Sequence, residues 1–149
     1  MEQLIVIIVL IAVGYVAGTL TEKRHYRSIE RRESAYLSLP AVTIKNVDIN
    51  AAKVREVKLV CGSAVISIDY FKRVLAGLRN IFGGTVKSYE TLIDRARREA
   101  LLRMKEAASD AAIIVNVRIE TSAIGKTTRN KNLGCLEAVA YGTALFLEE

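Results

Sequence analysis

One long uncharged run opens the hydrophobic pattern of this chain. Residues 3–20, eighteen positions, contain no charged side chain, and most of them are Val, Ile or Leu. An α-helix of that length extends roughly 27 Å at about 1.5 Å per residue, which is close to the thickness of a bilayer's hydrocarbon core. The run therefore predicts a transmembrane anchor, to which we assign residues 1–21.

The charges on either side of the run predict its orientation. A cleaved secretory signal has basic residues before its apolar core. Here the chain begins Met1-Glu2, and every Lys and Arg follows Glu22. The positive-inside rule then predicts an uncleaved, single-pass anchor in the inner or plasma membrane, with its N-terminus outside and the folded domain in the cytoplasm.

A charged segment, residues 22–40, joins the anchor to the rest of the chain. Residues 22–33 alternate acidic and basic side chains and are expected to continue the helix out of the bilayer, up to a hinge at Pro40, the only proline. Basic groups at this level are attracted to anionic lipid, although a merely solvated helix is a compatible alternative. The predicted lipid-contacting residues are Lys23, Arg24, Arg27, Arg31 and Arg32.

Two glycines inside the apolar run have the spacing of a helix-packing motif. Gly14 and Gly18 form a GxxxG pair, which lets two membrane helices approach closely. Glycine is common in membrane helices, so chance explains the pair equally well.

Residues 41–149 show the patterns of an α+β domain. Period-two runs predict strands over 41–47, 54–61 with an extension to 66, 111–122 and 136–147, and period-3.6 runs predict helices over 69–82 and 88–108. The last strand is apolar on both faces, so it needs cover on both. In so small a domain we expect another subunit to supply the second cover.

The helix predicted over 88–108 has two contrasting faces. One is a narrow, Ala-rich stripe, which indicates that something packs close against it. The other holds Arg95, Arg97, Arg98 and Arg103 among acidic residues. A solvated face with i,i+4 ion pairs is the favoured interpretation, and phosphate or lipid contact is the alternative. The basic loop 125–134 is a weaker candidate for the same contact.

The composition offers little material for catalysis. The net charge of +6 suits the cytoplasmic face of an anionic membrane, with nucleic acid as a disfavoured alternative. The sequence has no phosphate-binding glycine loop, and His25, the only histidine, lies at the membrane edge. A Ser-His-Asp or Cys-His arrangement inside the domain is therefore excluded. We expect neither an enzyme nor a cofactor.

Two cysteines, Cys61 and Cys135, lie far apart in the sequence. Small secreted domains held by disulfides usually carry more cysteines at closer spacing. Two reduced thiols in a reducing compartment are the favoured interpretation, while a single disulfide or a shared metal ion remains open.

Three stretches carry a family resemblance: 73–89 (RVLAGLRNIFGGTVKSY), 109–122 (SDAAIIVNVRIETS) and 141–144 (YGTA). They resemble the YbjQ family, which is described as heavy-metal-binding and is similar to dodecin-like subunits. The resemblance implies an antiparallel sheet covered by two helices that assembles into rings, typically pentamers or multiples of them. The end of the chain, from Gly134 to Leu145, also resembles the C-terminal strand of the Rcs stress-sensing outer-membrane lipoproteins, without their disulfides or lipid anchor.

The chain departs from the family pattern at Ser109-Asp110, where Gly-Ala-Asp is usual, and by its added membrane helix. Three functional hypotheses follow. The first is a membrane-anchored, ring-forming scaffold or interaction module of unknown activity. The second is a metal-binding protein that uses Cys61 and Cys135 on the cytoplasmic side. The third, a pore of bundled helices, is disfavoured because Gln3, Tyr15 and Thr19 are the only polar side chains in the span.

Overall fold

Two helices and three strands make up the described part of the chain. The computed structural model describes residues 2–49, 53–67, 87–124 and 135–148. The helix predicted over 69–82 and the basic loop 125–134 lie outside these residues. In chain order the elements are α1 (Glu2–Ala35), β1 (Val54–Ser67), α2 (Lys87–Glu106), β2 (Ile113–Ile124) and β3 (Cys135–Leu147).

The apolar run and the charged segment form one uninterrupted helix. α1 is 34 residues long, and its first part is long and apolar enough to cross a membrane by length and composition. The hydroxyls of Thr19 and Thr21 donate to carbonyls one turn back, so neither is left unpaired in the apolar part. Past the end of α1, Leu39 is buried in the domain core, so the chain before Pro40 is held against the domain.

The strands form one antiparallel sheet in the order β1-β3-β2. β3 is the central strand, and its register pairs Cys61 with Tyr141 on one side and Ile114 with Ala144 on the other. The expected α+β class and antiparallel sheet are thereby confirmed, with three strands. Each of the strands predicted over 54–66, 111–122 and 136–147 is present within two residues of its predicted ends.

The strand predicted over 41–47 is not regular, and this prediction is corrected. Its start runs parallel to β2 through a single bridge between Ala41 and Ile114, with backbone hydrogen bonds such as Val42 N to Ile114 O (2.9 Å). β2 bulges between Val115 and Arg118, and Asn116 there has a φ of 53°. A bulge disrupts the local ladder, so only short pairing forms at this edge.

The same bulge changes which side chains of β2 face the core. Strict alternation along this strand would place Ile113, Val115, Val117 and Ile119 on one face. The extra residue shifts the alternation by one, so Ile114 is fully buried and joins Val117 in the core. Strict period two cannot anticipate such a shift, because one inserted residue moves every later side chain to the opposite face.

α2 packs on one face of the sheet at unusually close range. Ala96, Ala100 and Met104 are fully buried along the Ala-rich stripe. A Cβ atom added to Gly62 of β1 would lie 2.3 Å from the Met104 nitrogen and 2.4 Å from the Ala100 oxygen. The residues of the stripe are small because the helix backbone lies directly against the strand backbone, as the Ala-rich composition predicted.

Gly62→Ala should therefore be strongly destabilising. The new methyl group meets helix backbone, which cannot rotate away. The free energy of unfolding should therefore decrease by an amount near the top of the ~1–3 kcal/mol range for overpacking. The measurement is thermal unfolding of the full chain in detergent, followed by circular dichroism. Gly142→Ala is the comparison: its Cβ would lie 2.9 Å from the Ile114 side chain and 3.1 Å from the Val115 oxygen, wider spacings than at Gly62, so this variant should lose less stability. An equal loss for both variants would contradict the close-approach argument.

Candidate functional site

One side of α1 lies against α2 beyond the apolar run. Ile29 is at its centre and is fully buried. The residues of this docked face recur at helical spacing, three or four apart, which places them on one side of the helix. Those that contact α2 or its surroundings are Glu22, His25, Tyr26, Ile29, Arg32, Glu33 and the Tyr36 carbonyl.

Glu99 of α2 is the electrostatic centre of this contact. It is only 3% exposed. Its carboxylate accepts hydrogen bonds from both Nη atoms of Arg32 on α1 and, at 3.0 Å, from Nε of Arg103 one turn along α2. Burial alone raises the pKa of Glu99, but these arginines outweigh it and hold the pKa below its usual range. The carboxylate therefore stays ionised and joins the two helices.

A second cluster, around Arg98, extends the contact. The Arg98 guanidinium donates to both carboxylate oxygens of Glu33, at 2.8 Å from Nε, and lies 5.9 Å from the centre of the Tyr26 ring. The bidentate pair with Glu33 raises the Arg98 pKa. The Tyr26 hydroxyl donates to the Thr91 carbonyl at 3.0 Å. The two parallel hydrogen bonds between the planar Arg98 guanidinium and the Glu33 carboxylate fix the relative orientation of the two side chains and also stabilise the contact.

Two members of the arginine row of α2, Arg95 and Arg98, contact α1. The favoured i,i+4 pairs do form, between Arg103 and Glu99 and between Arg98 and Asp94. Arg98 also pairs with Glu33, however, and Arg95 lies 3.9 Å from Glu22. The sequence interpretation missed this docked face. Its available signal was the spacing of residues 22, 25, 26, 29, 33 and 36 around Ile29, the only aliphatic residue larger than Ala between Leu20 and Leu37.

The opposite side of α1 is an exposed basic face. Lys23, Arg24, Arg27 and Arg31 project from it, and none forms an ion pair with a carboxylate in the part of the chain that the structure describes. Arg32, the fifth residue predicted to contact lipid, belongs to the Glu99 cluster instead. An open hollow of about 370 Å³ lies along this side, lined by Arg24, Arg27, Ser28, Arg31 and Arg32.

The sheet face turned away from α2 is apolar and open. On β3 the residues facing α2 are buried, whereas those on the other face are only partly covered. Val57, Leu59 and Val65 of β1 and Tyr141 of β3 are all exposed on this outer face. One of the two covers predicted for the last strand is therefore α2. The second, another subunit, stays a prediction.

The two cysteines lie at separate places on that outer face. Cys61 is exposed and pairs in register with Tyr141, while Cys135 begins β3 opposite Ser67. Six register steps at about 3.3 Å each put them roughly 20 Å apart along the strands. Both thiols are free. Among the described residues there is also no group of three or more His, Cys, Asp or Glu side chains suited to a metal ion.

A family model described as "Putative heavy-metal-binding" matches residues 41–148. This chain belongs to the YbjQ family. The match covers β1, α2, β2 and β3, whereas α1 and its docked face lie before it. The contact between α1 and α2 therefore joins the YbjQ domain to a segment outside the family model.

Two sequence relatives support the YbjQ assignment. A UPF0145 protein of Hahella chejuensis is 38% identical over 109 residues, covering 70% of this chain and 98% of the relative. One from Pyrococcus furiosus is 37% identical over 110 residues, covering 72% and 90%. A crystal structure of a DUF74 protein of unknown function from Pediococcus pentosaceus covers 74% of this chain and 98% of its own, with 13% identity and a TM-score of 0.41.

The heavy-metal description of the YbjQ family does not fit one copy of this chain. Soft metals are held by clustered thiolates and imidazoles, but the thiols here are separated by the register and His25 lies on α1. A shared site for Cys61 and Cys135 would need two copies to meet. Gly14 and Gly18, for their part, lie on the side of α1 that continues down to Ile29, because 11 residues from Gly18 to Ile29 complete three turns within about 20°.

Glu99→Gln should loosen the contact between the two helices. Removing the charge leaves Arg32 and Arg103 without their shared counter-ion. Because both arginines keep some solvent contact, we expect a loss of about 1–2 kcal/mol, less than the ~3–5 kcal/mol for breaking a fully buried pair. The thermal unfolding midpoint of the full chain in detergent measures it. Glu30→Gln removes the same charge from the exposed side of α1 and should change little; a similar loss there would contradict the assignment.

The contribution of Glu99 should disappear in acid. Its pKa is lowered from an ordinary value of 4.5, so the unfolded chain takes up the proton first as the pH falls. The stabilisation is therefore complete above about pH 4.5 and is lost progressively below it. Unfolding midpoints of the wild type and Glu99→Gln, compared from pH 7 down to pH 3, should differ most at pH 7, and the difference should narrow as the pH falls below about 4.5. A difference of the same size at pH 7 and pH 3 would rule out a charge-based role.

Proposed function

We propose that this chain is a membrane-anchored, non-catalytic scaffold or interaction module, which holds assembled YbjQ domains against the cytoplasmic face of the inner or plasma membrane. The observation that carries the proposal is the continuity of α1. One 34-residue helix contains both the apolar run and the docked face that binds α2. With α1 in a bilayer, the domain is held by a rigid element rather than by a loose linker.

The distance between domain and membrane follows from helix geometry. Ile29, the centre of the docked face, is nine residues beyond Leu20, which corresponds to roughly 13 Å along the axis. The positive charges that follow Leu20 support an N-out topology with the domain in the cytoplasm. Such an arrangement places each domain at a fixed height and angle, which suits a module that presents a surface to partners.

The sheet supports self-association as the second half of the proposal. β1 is 14 residues long, and among the described strands its only neighbour is β3. A long edge strand with an exposed apolar face is a template for pairing with another chain. A ring of five subunits, or a multiple of five, is the assembly that the resemblance to the dodecin-like subunits implies, and we include it in the proposal.

Leu59→Glu should break the assembly. Leu59 is 74% exposed at the middle of the outer face, where a carboxylate would be buried against another copy at a large cost. We expect wild-type protein that resists alkaline extraction from membranes and gives a pentamer, or a multiple of it, by native mass spectrometry in detergent. The variant should dissociate.

Leu37→Glu is the matched control for that experiment. Leu37 is 79% exposed but lies in the turn after α1, away from the sheet, so this variant should keep the wild-type mass. A wild-type monomer, or equal dissociation of both variants, would overturn the proposed assembly.

The metal-binding alternative has the family description as its support. If Cys61 and Cys135 of adjacent copies share an ion, the same native spectra of the wild type should show retained zinc or copper in a fixed ratio to subunits, and Cys61→Ser should abolish it. Assembly without retained metal would leave the scaffold proposal intact and remove the alternative.

A further inference from the structure

We propose that Arg24, Arg27 and Ser28 of α1 form a binding site for the phosphate group of an anionic phospholipid, and that Arg31 lies outside it. The inference rests on the proposed function, because it requires α1 to span the membrane. It assigns the site to the end of the hollow nearest the apolar run; Arg31 also lines this hollow but is further along α1 from the membrane.

The hollow along this face has the chemistry of an anion site. Four arginines and one serine line it, and no carboxylate does. Guanidinium groups bind phosphate through two parallel N–H donors, which an ammonium cannot match. The docked body occupies the opposite side of α1, so Glu99 and Glu106 pair with Arg32 but not with Arg24 or Arg27.

The Ser28 hydroxyl is an additional donor. The hydroxyls of Thr19, Thr21 and Ser34 all bond back to the carbonyl four residues earlier, the usual arrangement in a helix. Ser28 makes no such bond and has no hydrogen-bond partner among the residues described. Its hydroxyl lies between the two arginines in sequence and on the same lining, so it can donate to an oxygen held there.

Helix geometry sets the depth of each arginine. With the apolar run ending at Leu20, a rise of about 1.5 Å per residue puts Arg24 roughly 6 Å, Arg27 roughly 10 Å and Arg31 roughly 16 Å from the hydrocarbon. The headgroup layer is only about 5–8 Å thick on each side. Side chains on a helix lean toward its N-terminus, which here means toward the bilayer. Arg24 and Arg27 therefore reach lipid phosphates, while Arg31 falls short.

A lipid phosphate is favoured over a dissolved anion because the site lies next to the bilayer. The hollow is open to solvent, and a single phosphate from solution would have to be captured at its low bulk concentration. A lipid headgroup is held beside Arg24 at high local concentration by the bilayer itself, which raises occupancy without any new contact.

The test uses the full chain in nanodiscs of phosphatidylcholine containing one fifth phosphatidylglycerol. Native mass spectrometry after transfer to detergent counts the phosphatidylglycerol molecules retained per subunit. Arg24→Gln and Arg27→Gln should each lower retention about fivefold, which corresponds to ~1 kcal/mol per basic group near the surface. Ser28→Ala should lower it about twofold. Arg31→Gln is the matched control and should leave it nearly unchanged.

Three outcomes would overturn the inference. Equal losses for Arg31→Gln and Arg24→Gln would show that depth does not select the residues, and no loss for any variant would show that the arginines hold no lipid. In discs of phosphatidylcholine alone, ³¹P line broadening of added inorganic phosphate that depends on Arg24 would indicate a soluble-anion site instead. Wild-type chain extracted by alkali would instead refute the proposed membrane anchoring, a result separable from these.

Discussion

The arrangement of this molecule depends on one buried charge. Glu99 is almost fully enclosed, and a carboxylate in that environment is tolerated only with counter-charges at hydrogen-bond distance. One counter-charge, Arg103, comes from α2 itself, and another, Arg32, comes from α1. The requirement to satisfy Glu99 therefore fixes the angle at which α1 meets the domain. Because α1 is continuous, the same requirement orients the domain relative to the apolar run.

A strand or helix could be predicted from the sequence where its buried residues recur at the period of that element, two for a strand and about 3.6 for a helix. β3 alternates between buried and partly covered residues along its whole length, and α2 has a narrow buried stripe, so both were located to within two residues. The close approach at Gly62 was also foreshadowed, since only a stripe of small residues allows helix and strand backbones to touch. In these cases the local pattern and the tertiary packing carry the same information.

The sequence could not predict features that depend on contacts between distant segments. The bulge at Asn116 changes which side chains of β2 face the core, and the alternation of apolar and polar residues gives no sign of it. The docked face of α1 consists largely of charged residues. From the sequence alone, such a face cannot be distinguished from one that is simply exposed to solvent. Glu99 has acidic and basic neighbours throughout α2, so nothing local distinguishes the carboxylate that is buried from those, such as Glu106, that keep contact with solvent.

The position of the glycine pair bears on how copies of this chain can meet. Gly14 and Gly18 lie on the side of α1 that, three turns further on, holds Ile29 against α2. Two helices crossing closely at these glycines would bring the partner helix into the space beside Glu22 that α2 already occupies, unless the helices diverged within a turn. The outer face of the sheet carries no such conflict, because α2 lies on the other side of it. Assembly through Leu59 and its neighbours is therefore compatible with the docked domain, whereas tight pairing through the glycines competes with it.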